Sequence, residues 1–207
     1  MTGKFIVIEG PNLAGKSTLI NDLEVHFVMA GHTVVKTREP GGTPIGEAIR
    51  PILKDPEKGA GAFATSLVFN GCRSEHEQRI IIPAITAGKI VLCDRYYAST
   101  EIYQIELPQT MTEEQRILIR GVHQSFTQAA ITIFLIPTLE VILKRKTARP
   151  QENDRFEGQS QKEREVYIDY ARKFVGPKII LQPELSQEGT SQLDEVLQSE
   201  KFQNAMR

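Results

Sequence analysis

The chain has 207 residues, of which 40% are apolar and 25% charged, and its formal net charge is −1. These values are ordinary for a globular protein, and a net charge so close to zero argues against a broad basic surface for nucleic acid. Two cysteines, Cys72 and Cys93, form no CxxC pair, which argues against a disulfide framework and favours a reducing, cytoplasmic setting.

Five apolar runs predict strands, at residues 4–9, 33–37, 89–94, 130–136 and 178–182. Helical spacing predicts helices at residues 16–30, 44–53, 63–87 (with a kink near Pro83), 112–126, 139–147, 160–174 and 191–202. Residues 97–104 are predicted to be a loop or a short helix. The alternation of strands and helices is typical of one α/β domain, residues 1–207, with a parallel sheet covered on both faces. The most apolar region, 129–143, is too short and too interrupted to cross a membrane.

The stretch GPNLAGKS, residues 10–17, fits the pattern GxxxxGK[ST] between a predicted strand and a predicted helix. Glycines let backbone N–H groups converge on a phosphate, and the helix N-terminus adds its positive end. We expect Lys16 to contact the β- and γ-phosphates of ATP and Ser17 to bind Mg²⁺. The predicted ATP-binding residues are Gly10, Pro11, Asn12, Leu13, Ala14, Gly15, Lys16, Ser17 and Thr18.

Other charged stretches follow the later strands, at the edge where a parallel sheet binds ligands. Arg38 lies in TREPGGT (37–43), and Arg95 lies in CDRYYAST (93–100). Phe69 and Arg73 are four residues apart on one predicted helix, so they share a face that can stack on a base and donate to its edge. The polar segment 148–158 carries Arg149 and Arg155 and has the composition of a lid that closes over phosphates. Arg145, just before it, is open to two interpretations, a lid cation or a solvated charge.

In this order, the P-loop, TREPGG, F-x3-R, DRYYxST-x2-Y and the arginine-rich lid resemble bacterial thymidylate kinases over roughly residues 4–182. The resemblance implies a three-layer P-loop nucleoside monophosphate kinase fold with a five-stranded parallel sheet. It also implies transfer of phosphate from ATP to dTMP, giving ADP and dTDP. Members of this family usually form dimers through helices, so a homodimer is expected, with no nucleic acid or membrane partner.

The resemblance also implies roles for single residues, which remain expectations at this point. Phe69 would stack on thymine, Arg73 would bind its edge, and Arg38 and Arg95 would hold the acceptor phosphate. Lys16 and the lid residues Arg149 and Arg155 would neutralise the transferred phosphoryl group. The remaining dTMP-binding candidates are Glu39, Asp94, Thr100, Tyr103 and Gln104, and the candidates for Mg²⁺ are Ser17, Asp94 and Glu9.

Several positions depart from the family pattern near the expected acceptor site, among them Leu13 and the segment after Thr100. Asn12 stands where a carboxylate is common, and Ala98 stands where an aspartate is frequent. Two alternatives therefore stay open: a nucleoside monophosphate kinase with broader or different base specificity, and a nucleotide-binding switch without catalysis. The charged run 162–172 predicts a solvated helix face, and the four histidines show no metal-ligand pattern.

Overall fold

A computed structural model describes residues 3–55, 57, 60–147, 161–184 and 192–207. All of its strand pairs are parallel, and the strand order across the sheet is β2-β3-β1-β4-β5. The strands are β1 (Lys4–Glu9), β2 (Val34–Arg38), β3 (Ile90–Asp94), β4 (Ile131–Leu135) and β5 (Lys178–Leu181). The five predicted strands are thus confirmed, with ends that shift by one residue or so.

The central strand β1 buries both of its faces. Ile6 and Ile8 lie in one apolar cluster, whereas Phe5 and Val7 lie in another on the opposite side of the sheet. Successive side chains of a strand point to opposite faces, so an uninterrupted apolar run is what a sheet covered on both sides requires. Helix residues complete both clusters, for example Leu23 on the first side.

Ten α-helices surround the sheet in the described part of the chain. They are α1 (Lys16–Met29), α2 (Pro44–Lys54), α3 (Ala62–His76), α4 (Ile82–Thr86), α5 (Tyr97–Thr100), α6 (Glu113–Gln124), α7 (Leu139–Thr147), α8 (Gln161–Lys173), α9 (Gln192–Gln198) and α10 (Glu200–Met206). None of these described helices combines the length and apolar character needed to cross a membrane.

Helix ends follow from local sequence. Thr43 caps α2 by accepting from the Gly46 N–H, and Pro44 occupies the first helical position, where its missing N–H costs nothing. Thr112 and Gln115 form a reciprocal capping box at the start of α6.

The predicted helix 63–87 contains a π-helical segment, Glu77–Ile81, between α3 and α4, upstream of Pro83 rather than at it. Glu77 in this wider turn is buried and accepts a hydrogen bond from the Thr127 N–H, a contact made across the fold. Residues 97–104, predicted to be a loop or a short helix, are helical throughout: α5 continues directly into the π-helical segment Glu101–Glu106.

The C-terminal helix predicted at 191–202 is two helices. Ser199 has φ −67° and ψ 123°, an extended conformation that separates α9 from α10. Val196 and Phe202, one from each helix, both pack against the β1 cluster. The break lets both apolar side chains reach the same face of the sheet.

Leu92, in the middle of β3, is fully buried in this core. We expect Leu92→Ala to lower the free energy of unfolding by about 3 kcal/mol, because it removes apolar burial and leaves a cavity. Urea unfolding measures the change. Val25→Ala is the matched control: Val25 is 56% exposed on α1, so a change of no more than ~0.5 kcal/mol is expected there. Equal losses in the two variants would contradict this description of the core.

Candidate active site

The loop between β1 and α1 curls tightly at the carboxyl end of the central strand. Gly10 has φ 152°, and a Cβ atom there would lie 2.2 Å from the Leu135 carbonyl oxygen, so only glycine fits. Helix α1 begins at Lys16 with no side-chain cap at Gly15. Its first N–H groups are therefore available to an anion, which is the arrangement predicted for a phosphate-binding loop.

Lys16 is folded back onto this loop. Its ammonium donates to the carbonyl oxygens of Gly10 (3.1 Å) and Pro11 (3.0 Å) and lies 3.9 Å from Asp94 Oδ1. Burial lowers the pKa of Lys16 to about 8, and the nearby Arg95 acts in the same direction while Asp94 opposes it. Lys16 is therefore mainly cationic at neutral pH, and a phosphate beside it would stabilise that charge.

Glu9, the last residue of β1, is a fully buried carboxylate with both oxygens in hydrogen bonds. Its Oε1 accepts from the N–H groups of Tyr96 (2.8 Å) and Ser99 (3.2 Å), and its Oε2 accepts from the Ser99 hydroxyl (2.6 Å). Burial raises the pKa of Glu9, while Arg95 and these hydrogen bonds oppose the shift. Glu9 thus ties the loop after β3 to the end of β1.

Arg95 follows β3 and reaches toward the phosphate-binding loop. Its Nη2 donates to Asn12 Oδ1 (2.7 Å), and its Nη1 donates to Ser99 Oγ (2.9 Å) and Tyr167 Oη (2.8 Å). The guanidinium also lies 5.4 Å from the centre of the Tyr103 ring. Its backbone has φ 71°, an uncommon conformation outside glycine that is frequent at functional sites.

Helix α8 places buried side chains beside Arg95 and Tyr103. The prediction that 162–172 is a solvated helix face is therefore wrong for this side of the helix. Glu163 is 2% exposed and accepts a hydrogen bond from the Tyr103 hydroxyl (2.5 Å). Tyr167 is fully buried against Arg95. The charge pattern does not reveal which side of α8 is buried. On the exposed side of the same helix, Lys173 and Asp169 form the expected i,i+4 ion pair.

A second cluster surrounds Arg73, which is 1% exposed. Its Nε donates to Glu39 Oε2 (2.7 Å), and its two terminal nitrogens donate to Asn70 Oδ1 (2.6 Å) and Thr100 Oγ1 (2.9 Å). Glu39 also accepts from His76 Nδ1 (3.0 Å). Arginine has five N–H donors, so one on each terminal nitrogen remains beyond these three bonds.

The TREPGG turn fits closely against this cluster. Gly42 has φ 76°, and a Cβ there would lie 2.6 Å from His76 Nε2 and from Thr37 Oγ1. Those two atoms are themselves 2.5 Å apart, in a hydrogen bond. The glycine therefore lets the turn approach α3 closely enough for Glu39 to meet both Arg73 and His76.

The structure places the other acceptor-site candidates as follows. Phe69 and Gln104 are buried, Phe69 one helical turn before Arg73 and Gln104 one turn after Thr100. Arg38 is half exposed and pairs with Glu47 across 3.0 Å, and it lies beside Asp94 in the parallel register of β2 and β3. Arg38 and Arg95 thus lie at the carboxyl ends of two neighbouring strands, β2 and β3.

The oxygen groups near the phosphate-binding loop suit a magnesium ion in part. Asp94 Oδ1 is buried and accepts no hydrogen bond, and the Ser17 hydroxyl lies on the exposed side of the first turn of α1. Magnesium in kinases is held by few protein oxygens together with substrate phosphates. The described residues contain no group of three or more His, Cys, Asp or Glu side chains suited to a metal.

Arg145 is partly buried and lies against the phosphate-binding loop. Its Nη1 donates to the carbonyl oxygens of Leu13 (2.9 Å) and Ala14 (2.6 Å), so the end of α7 is held against the phosphate-binding loop. The lid residues Arg149 and Arg155, in the segment 148–158, lie outside the described residues.

Several residues of these clusters carry no sequence signal of their own. His123 and Asn70 are buried and hydrogen-bonded to each other, and Glu101 bonds to His123. A lone histidine on a helix is usually a satisfied structural residue, so only the tertiary contacts distinguish it. The position of His76 beside Arg73 could have been inferred from sequence, because residues three apart on a helix share a face.

Comparison with known proteins agrees with this geometry. The thymidylate kinase family model matches residues 8–192. The chain is 37% identical over 175 residues to a thymidylate kinase of Neisseria gonorrhoeae, covering 83% of this chain and 84% of that one. It is 49% identical over 104 residues to the thymidylate kinase of Protochlamydia amoebophila, which covers 49% of this chain and 46% of that one.

Solved structures extend the similarity to the fold. The thymidylate kinase of Ehrlichia chaffeensis superimposes with a TM-score of 0.66 at 26% identity, over 88% of this chain and 92% of that one. Thymidylate kinase from Candida albicans, at 22% identity, shares the fold with a TM-score of 0.69 over 88% of this chain and 84% of that one. The sheet, its flanking helices and the phosphate-binding loop are those of a P-loop nucleoside monophosphate kinase, and the chain belongs to the thymidylate kinase family.

Proposed function

We propose that the protein transfers the γ-phosphoryl group of ATP to dTMP, giving ADP and dTDP. The observation that carries the proposal is the position of Arg95, whose guanidinium donates to Asn12 within the phosphate-binding loop. A cation at the end of β3, beside a loop built for a nucleoside triphosphate, suits an acceptor that already carries a phosphate. A nucleoside acceptor would need a base for its hydroxyl group instead.

On the donor side, the loop residues 10–18 hold the triphosphate, with Lys16 against the β- and γ-phosphates. Ser17 and Asp94 are the oxygen donors for Mg²⁺, which neutralises charge on the phosphate oxygens when bound. Glu9 is better placed as a positioning residue, since its two oxygens already hold Tyr96 and Ser99.

On the acceptor side, Arg38 and Arg95 bind the phosphate of dTMP. Phe69 stacks on thymine, and Arg73 presents its two remaining N–H donors to the edge of the base. The other contacts come from the buried residues nearby: Thr100 and Gln104 near the base, and Tyr103 near the sugar.

Glu39 acts through Arg73, which it holds by an ion pair of 2.7 Å between buried groups.

The nucleophile is a phosphate oxygen that is ionised at neutral pH, so the site needs alignment and charge neutralisation rather than a strong base. The chain acts as one kinase domain, residues 1–207, in which Arg149 and Arg155 of the segment 148–158, outside the described residues, neutralise the transferred group. The buried free thiols Cys72 and Cys93 suit a reducing cytoplasm.

The proposal predicts the acceptor preference in a coupled assay of ADP release with ATP and Mg²⁺. Turnover is expected with dTMP and not with thymidine, because the two acceptor arginines have no partner on an uncharged nucleoside. The panel includes dUMP, dCMP and dGMP. Comparable turnover with several monophosphates would support the broader-specificity alternative. Binding of ATP without turnover of any acceptor would contradict a kinase and favour the nucleotide switch.

Arg95→Ala separates the acceptor side from the donor side. We expect kcat/KM for dTMP to fall about 100-fold or more, because a preorganised cation at the transferred charge is lost. ATP affinity, measured by calorimetry, should change little. Arg79→Ala is the matched control, since Arg79 is 68% exposed and pairs only with Glu75 in the described structure. Wild-type turnover of dTMP in Arg95→Ala would contradict the role given to Arg95.

We also propose a homodimer formed through one helical face. Helix α2 packs on α3, and α3 packs on α6. Each helix exposes large apolar side chains, which are Ile45, Ile52, Leu67, Val68, Ile117 and Leu118, between 39% and 63% exposed. Exposed apolar side chains on three helices that pack side by side suit a protein–protein interface.

A charge in this face is expected to prevent association. Leu67→Glu should shift the protein from dimer to monomer in sedimentation velocity, since burying an unpaired carboxylate in an apolar interface is unfavourable. Val175→Glu is the control, because Val175 is 91% exposed in the loop between α8 and β5. A wild-type monomer, or a Leu67→Glu protein that remains dimeric, would contradict the proposal.

A further inference from the structure

His76 of α3 has no role in the reaction as described so far, yet both nitrogens of its ring have a partner. Its Nδ1 lies 3.0 Å from Glu39 Oε1, and its Nε2 lies 2.5 Å from Thr37 Oγ1. The residue is 0% exposed, so it has no surface left with which to contact a nucleotide. Any effect of His76 on the reaction must therefore pass through these two partners.

The hydrogen on the ring follows from the chemistry of the partners. An ionised carboxylate only accepts, so the ring nitrogen that faces Glu39 must carry a hydrogen, and Nδ1 is the donor. The Thr37 hydroxyl can donate or accept, so it satisfies Nε2 with or without a hydrogen on that nitrogen. The bond from His76 to Glu39 is thus the same for a neutral and for a charged imidazole.

Glu39 connects the histidine to the proposed base site. Its Oε2 accepts from Arg73 Nε at 2.7 Å, while its Oε1 accepts from His76, so each oxygen has a donor of its own. Because a carboxylate group is planar, holding one oxygen also limits the positions of the other. The imidazole therefore restricts the oxygen that binds Arg73.

Arg73 in turn is oriented by its acceptors. Its Nε, Nη1 and Nη2 each donate once, to Glu39, Asn70 and Thr100 respectively. A guanidinium is planar, so these three bonds also fix the directions of the two N–H donors that remain. A change in the position of Glu39 is passed on to the donors that the proposed function assigns to the base.

The other partner of the histidine belongs to the strand that carries Arg38. Thr37 directly precedes Arg38 in β2. Gly42 of the TREPGG turn packs so closely on Thr37 and His76 that a Cβ atom would not fit there. His76 thereby links helix α3, which carries Arg73, to the end of β2.

We infer that His76 is a positioning residue for the acceptor base, which holds the Arg73 guanidinium in place through Glu39. The inference rests on the proposed function, in which Arg73 binds the edge of the base. It adds to that function a buried residue that does not touch the substrate.

Two amide substitutions separate the two contacts of the ring. The amide nitrogen of asparagine is as many bonds from Cα as Nδ1 is, and the amide nitrogen of glutamine is as many bonds away as Nε2. His76→Asn therefore keeps a donor for Glu39, whereas His76→Gln loses that donor and keeps a partner for Thr37.

The experiment measures kcat and KM for dTMP at saturating ATP and constant pH. In His76→Gln we expect KM to rise about tenfold, the effect of losing one hydrogen bond to a buried charged group. We expect kcat to stay within about twofold of the wild type, because the lost contact serves binding of the base and not the transferred phosphoryl group. In His76→Asn both values should stay close to those of the wild type. His32→Gln is the matched control, since His32 is exposed before β2.

Equal increases of KM in His76→Asn and His76→Gln would overturn the inference, because a histidine that only fills the core loses its ring in both variants. A wild-type KM in His76→Gln would overturn it as well.

A second measurement needs only the wild-type protein. Nitrogen-detected NMR of the imidazole rings in the full chain should show a hydrogen on Nδ1 of His76, with the signal assigned by its loss in His76→Asn. A hydrogen on Nε2 alone would overturn the inference, since Glu39 would then receive no bond from the ring.

Arg73→Ala separates this inference from the proposed function. If Arg73→Ala leaves KM for dTMP unchanged, then the role of Arg73 in the proposed function is wrong. If Arg73→Ala raises KM while His76→Gln does not, the proposed function stands and only the positioning role of His76 fails.

Discussion

The parallel pairing of β1 with β3 is the constraint on which the candidate site depends. Ile8 lies opposite Asp94 in this register, and the Arg95 N–H donates to the Ile8 carbonyl oxygen at 3.0 Å, just beyond the last pair. The strands β1 and β3 therefore end side by side. The chain continues from β1 into the phosphate-binding loop and from β3 into the segment that carries Arg95. A shift of one residue would turn Asp94 to the other face of the sheet.

Two carboxylates near this edge, Glu9 and Glu39, are buried, and the structure compensates both of them. Glu9 is fully buried but accepts three hydrogen bonds. Glu39 accepts one hydrogen bond from Arg73 and one from His76. Isolated charges in such positions would be strongly unfavourable, whereas paired and hydrogen-bonded ones are tolerated. The compensation also holds the side chains in one orientation, so a nucleotide meets a site that is largely formed in advance.

The two clusters divide the work of the proposed reaction and are joined through α5. Ser99 bonds to Arg95 and Glu9, while its neighbour Thr100 bonds to Arg73. In the proposed reaction, the first cluster would bind the phosphates and the second would bind the base. The left-handed backbone at Arg95 lets the chain turn abruptly from strand to helix and place these adjacent residues in both clusters.

The sequence by itself determined the strands and the phosphate-binding loop, because these depend on local patterns. Apolar runs that are buried on both sides, glycines at tight turns and a lysine before a helix can be recognised without knowing their neighbours. Family resemblance then added the acceptor, whose detailed contacts remain predictions. The lid arginines Arg149 and Arg155 stay predictions as well, since they lie outside the described residues.

Only the tertiary structure decided which polar residues are buried together. Glu163 belongs to a charged helix that looks solvated in sequence, yet it is covered and bonded to Tyr103, 60 positions away. Glu101, His123 and Asn70 come from three separate segments, and none of them is unusual alone. Local sequence carries no record of such contacts, because burial is set by partners that are distant along the chain.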